Sequence, residues 1–111
     1  MFDLREYKET IKAAVLRERE DDENWSWSVK SVGKTKAKIG WGYLDYIGEK
    51  ELFEVEIEEL EEYDPCVIGK MPNGQKMYAF VGPNRWDDAD TVEAGIARVI
   101  HAMASSAHNT Y

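Results

Sequence analysis

The sequence predicts an α+β fold: a five-stranded, mainly antiparallel meander with an N-terminal and a C-terminal helix packed on one face. Three observations carry this expectation. Apolar residues follow helical spacing at both ends of the chain, apolar and polar residues alternate through the middle, and Gly or Asn-Gly turns separate the alternating runs. At 111 residues the chain suits a single domain spanning 1–111, with 106–111 read as a frayed tail.

The first helix is expected from Leu4 to Glu20, with Leu4, Tyr7, Ile11, Ala14 and Val15 on one stripe. Asp3 is placed to cap it, Glu6 to reach back as in a capping box, and Phe2 to pack on Tyr7 as a hydrophobic staple. The acids of Asp21-Asp22-Glu23 oppose the helix dipole at that end and mark its stop.

Trp25, Trp27 and Val29 alternate with Ser26, Ser28 and Lys30, the period of a half-buried strand. Ala37, Ile39, Trp41 and Tyr43 alternate with Lys36, Lys38, Gly40 and Gly42, and Gly33 turns the chain between the two runs. Pairing Ser31 with Thr35 sets Val29 against Ala37, Trp27 against Ile39 and Trp25 against Trp41, so the three tryptophans are expected in the core. After a turn near Gly48, Leu52 to Glu58 forms a third strand with Phe53, Val55 and Ile57 inward and Glu54, Glu56 and Glu58 outward. Pairing Tyr43 with Val55 and Trp41 with Ile57 brings the glutamates beside Leu44, Gly42 and Gly40, a bare strip that another group can approach.

Leu60 to Tyr63 is expected to make one helical turn before Asp64-Pro65. Cys66 to Lys70 and Lys76 to Val81 form a hairpin around Pro72-Asn73-Gly74, where Asn-Gly supplies positive φ. The last helix runs from Ala89 to Ser105, its stripe being Val92, Ile96, Val99, Ile100 and Met103, capped by Asp87 or Asp90.

The charge is local. Glu49 to Asp64 holds nine acids and one base and so carries the whole formal charge of -8, while the rest of the chain balances at 13 acids and 13 bases. Glu54, Glu56 and Glu58 recur roughly every 6.7 Å along their strand, about half the axial charge density of one DNA strand. Glu59, Glu61, Glu62 and Asp64 extend the patch. Trp86 stands apart in a Pro83-to-Asp87 loop, and Trp and Arg are the residue types most used as binding anchors.

The chain offers no Gly-rich phosphate loop, nucleophile elbow, Cys-x-x-Cys pair or His-Glu-x-x-His helix. His101 and His108 have no evident catalytic partner, and Cys66 reads as a small buried residue. Asp87, Asp88 and Asp90 lack the spacing of a calcium loop. No cofactor, metal or catalytic residue is therefore assigned, and the protein is read as a non-enzyme. The opening residues lack a secretory pattern and no run is long enough to span a membrane, which makes a cytoplasmic protein the expectation.

These features suggest a small acidic inhibitor or adaptor whose binding residues are Glu54, Glu56, Glu58, Glu59, Glu61, Glu62, Asp64 and Trp86. Its partner is then a basic nucleic-acid-handling protein or nuclease, engaged with or without nucleic-acid mimicry. Direct nucleic-acid binding is disfavoured by the acidity, and a homodimer is allowed. Small acidic proteins of this type include phage antidefence factors such as anti-CRISPR proteins, and immunity proteins that block nuclease toxins; the comparison is one of type, without a shared motif. Two alternatives are a chaperone-like adaptor, which the order of elements resembles in outline, and an enzyme with an unfamiliar site.

Overall fold

The computed structural model describes residues 2–21, 25–43, 51–59 and 65–110. Its five strands, β1 (Trp25–Val32), β2 (Lys36–Tyr43), β3 (Glu51–Glu58), β4 (Cys66–Lys70) and β5 (Lys76–Phe80), lie side by side in chain order, each antiparallel to the next. Helix α1 (Lys8–Asp21) packs over β1, and helix α2 (Val92–Thr110) over β4 and β5, with the two helices touching. This is the expected α+β meander with both helices on one face.

Alternation decides which residues enter the core. Trp27, Ile39, Trp41, Phe53, Val55, Val67 and Ala79 are buried beneath Ile11, Val15, Ile96, Val99, Ile100 and Met103. Trp27, Trp41 and Phe53 form an aromatic knot with ring centroids 5.3 to 6.0 Å apart, the Trp41 and Phe53 rings edge to face, a geometry that adds to their area burial. The Trp25 side chain lies outside those described.

The registers differ from the expected ones. Trp27 pairs with Trp41 and Val29 with Ile39, and an irregularity between Val29 and Ser31 then brings Val32 opposite Ala37. The chain turns at Gly33, whose N–H donates to the Lys36 carbonyl at 2.8 Å. An extra residue in one strand exchanges the faces of the residues beyond it. Val32 thereby packs against the core where unbroken alternation would turn it outward. Between β2 and β3, Ile39 meets Phe53 and Ala37 meets Val55, so Glu54 and Glu56 face Lys38 and Lys36 in place of the glycines. Gly40 and Gly42 are themselves buried, which closes the bare strip.

The termini of the helices also move. Leu4–Tyr7 is a 3-10 turn leading into α1. The Asp3 carboxylate caps as expected, accepting from the Arg5 N–H at 3.0 Å, and the Arg5 guanidinium also donates to it at 2.6 Å. The staple forms, with the Phe2 and Tyr7 rings 6.3 Å apart. Helix α2 starts after Thr91, whose hydroxyl accepts from the Ala94 N–H at 3.1 Å, so the cap is neither Asp87 nor Asp90. It continues through the expected frayed tail to Thr110, with Ala104 and Ala107 fully covered.

Two glycines let α2 settle on the sheet. A Cβ at Gly69 would collide with Val99 Cγ1 and lie 2.7 Å from Met103 Sδ, and one at Gly95 would come within 3.0 Å of Val67 Cγ2 and Val81 Cγ2. In the 71–75 turn only Gly74 has positive φ, at 90°, while Asn73 uses its side-chain oxygen to accept from the Gln75 N–H at 2.9 Å. This is a type I turn closed by a left-handed glycine, so the expected hairpin forms around Pro72-Asn73-Gly74 with Gly74 alone supplying the positive φ. Leu60–Tyr63 and the turn near Gly48 lie outside the described residues. Among the described residues no helix is long and apolar enough to cross a membrane.

Candidate binding surface

Because both helices cover one face, the other carries every outward residue of the sheet. The registers order that face into rows. One row runs Lys38, Glu54, Lys70, Lys76; the next runs Lys36, Glu56, Ile68, Tyr78; the last runs Glu58, Cys66, Phe80. A depression of about 570 Å³ opens among them, lined by Lys36, Glu54, Glu56, Glu58, Ile68, Lys70 and Lys76, with Thr35 and Ile57 at its border.

The acidic row is partly neutralised by its neighbour. The Lys36 ammonium lies 3.1 Å from Glu54 and 3.4 Å from Glu56, and these two carboxylates, Glu54 first, raise the Lys36 pKa above the ordinary lysine value. Glu58 lies one row further on, facing Cys66 across the strand pair, and both it and Glu59 are exposed. Charge thus varies along the strands: cations gather toward the 71–75 turn and acids toward the opposite end. Glu61, Glu62 and Asp64 lie outside the described residues.

At that opposite end the surface becomes aromatic. Tyr78 is 53% exposed, Phe80 45% and Trp86 81%, although rings of this size ordinarily seek cover. Tyr78 and Phe80 face outward because β5 turns Met77 and Ala79 toward α2. The loop bearing Trp86 is tied to the same strand. Asp88 donates its N–H to the Phe80 carbonyl at 2.8 Å, its carboxylate accepts from the Phe80 N–H at 3.0 Å, and Val81 bridges to Ala89. Asp87 tightens the loop by accepting from the Asn84 N–H at 3.1 Å. The Arg85 guanidinium rests 4.5 Å from the centre of the Trp86 ring, a cation–π contact that holds the indole in place.

Asp87 and Asp88 therefore have structural work as loop staples. His101 Nδ1 lies 2.8 Å from Glu18 Oε1, joining α2 to α1 over a largely buried carboxylate. Cys66 is buried, and the loss of hydration pushes its thiol pKa up.

The structure brings Glu54, Glu56 and Glu58 onto one face as expected, and places Trp86 in a loop whose Asp88 and Ala89 are hydrogen-bonded to the edge strand at Phe80. Sequence reasoning missed Tyr78 and Phe80. Their signal was the pattern Lys76-Met77-Tyr78-Ala79-Phe80, whose small Ala79 sits where a close helix needs room. No family model matches the chain, and neither a curated protein nor a solved structure is found to be similar to it.

Proposed function

We propose that the protein is a non-enzymatic inhibitor or adaptor that docks on a basic, nucleic-acid-handling protein through the Tyr78, Phe80 and Trp86 end of its open sheet face. One observation carries the reading. Of five large hydrophobic side chains exposed among the described residues, three belong to β5 and the loop tied to it, with Glu56 and Glu58 on one side and Asp87 and Asp88 on the other. Aromatic anchors inside a polar border are the usual composition of a protein-binding surface.

The formal charge of -8 supplies the partner's sign, since complementary fields speed encounter and select orientation. Glu58 and Glu59 begin the acidic stretch that continues in sequence through Glu61, Glu62 and Asp64. Phosphate mimicry by the β3 row is not part of the reading, because Lys36 bridges two of its three carboxylates.

Binding assays with a captured partner test this. Trp86→Ala or Phe80→Ala should weaken affinity by about 30-fold or more, the loss expected of an anchor. Glu58→Lys with Glu59→Lys should slow association and flatten its salt dependence. Unchanged affinity in both sets would reject the surface. A second reading, an adaptor holding an apolar segment, is favoured by the half-exposed Leu16 beside a groove of about 320 Å³ between α1 and β1. Under it the charge reversals leave binding intact and Leu16→Asp abolishes it.

A further inference from the structure

The basic end of the outer face has its own unexplained feature. Lys70 and Lys76 are register partners across β4 and β5, and both are exposed. Like charges directly opposite each other destabilise a strand pair, so a carboxylate is the expected companion. Glu54 is the register partner of Lys70 on the other side, yet its carboxylate is bound to Lys36 at 3.1 Å. Among the described residues neither Lys70 nor Lys76 has an ion-pair partner. Lys38 lies in the same row, between Ser31 and Glu54, so the row holds three cations and one carboxylate already engaged from the next row.

Both lysines line the 570 Å³ depression with Ile68, at the end away from Glu58, while its other two carboxylates, Glu54 and Glu56, are held by Lys36. A volume of this size suits a small molecule or one projecting group of a partner. Register partners have Cα atoms about 5 Å apart, so two ammonium groups can close on one oxyanion from both sides. Lysine binds such a group as a point charge without demanding a planar fork.

We infer that Lys70 and Lys76 form an oxyanion seat, taking a phosphate or carboxylate whose remaining, apolar body lies over Ile68. The seat adjoins the docking surface proposed above, since Ile68 is the register partner of Tyr78, but Lys70 and Lys76 are not part of that surface and the test needs no partner. The folded chain is titrated with inorganic phosphate, and in parallel with acetate, with sodium chloride holding ionic strength constant and backbone amide NMR shifts as readout. Saturating shifts centred on β4 and β5, with a midpoint on the order of millimolar, are expected, and they should vanish in the Lys70→Met, Lys76→Met double variant. That variant should also melt at a higher temperature without added anion, because the opposed charges are gone. Selective saturation by phosphate assigns a phosphate-bearing ligand; equal saturation by acetate assigns a carboxylate. Shifts that rise linearly and spread over Lys12 and Lys38, saturation that survives in the double variant, or a double variant that melts no higher would each overturn the seat.

Discussion

Lys36 decides the character of the acidic strand. A lone row of glutamates repels itself and draws cations; with one ammonium shared between Glu54 and Glu56, the same row becomes part of a mixed-charge face. The Lys36 pKa is raised in the folded state by those two carboxylates, so the bridge contributes in full below the unfolded lysine value and is lost as pH rises through the folded one. NMR titration of its Nζ should give a midpoint above 10.5, and a midpoint at or below that value contradicts the bridge. Asp3 is the acidic counterpart. Hydrogen bonding to Arg5 holds its pKa at about 2, so its contribution is present above the ordinary value of 3.8 and fades as pH falls toward 2. Gly69 tests packing at the same scale. Gly69→Ala drives a methyl into Val99 and Met103, and overpacking of this kind should cost about 1–3 kcal/mol in chemical denaturation; a neutral result would mean that α2 sits further from β4.

At the scale of the element, the sequence was legible where one period governs and illegible where an offset does. Burial of Phe53 and Val55 and exposure of Glu54, Glu56 and Glu58 follow from alternation, which any even shift in register preserves. The β2–β3 offset does not follow from it, and the expected pairing missed by six residues. The missing signal was electrostatic: Lys36 and Lys38 face Glu56 and Glu54 in the observed register, and opposite charges across a strand pair favour it over the expected one, which set the glutamates beside glycines. The irregularity after Val29 escaped for another reason, as Ser26, Ser28, Lys30 and Ser31 carry no pattern that marks an inserted residue. The start of α2 was misplaced because three aspartates compete with Thr91 for the cap, and two of them instead staple the loop. Thr91→Ala should therefore lower stability by about 0.5–2 kcal/mol in thermal or chemical unfolding, whereas Asp90→Ala should not. Removing residues 106–111 should likewise destabilise the protein, since Ala107 in the last turns of α2 is fully covered.

For the whole molecule, covering one sheet face with both helices leaves the other to meet solvent or a partner. The described part of that face is polar over most of its area and aromatic at one end. Its three exposed rings lie on β5 and the loop tied to Phe80 by backbone and side-chain hydrogen bonds. The hydrogen bonds restrain the backbone that presents those rings, so less backbone freedom is left to lose on binding. The net charge acts over a longer range, so ionic strength should govern the rate of association and the aromatic anchors the rate of dissociation.

The most direct test is an affinity capture from nuclease-treated lysate of the source cell, run in parallel with the wild-type chain and Trp86→Ala, washed at low and then high salt, with retained proteins identified by mass spectrometry. The expected result is a basic nucleic-acid-binding protein retained by the wild type, weakened by salt and lost from the variant. Retention of the same protein by both chains, or recovery of no basic protein at either salt, would contradict it.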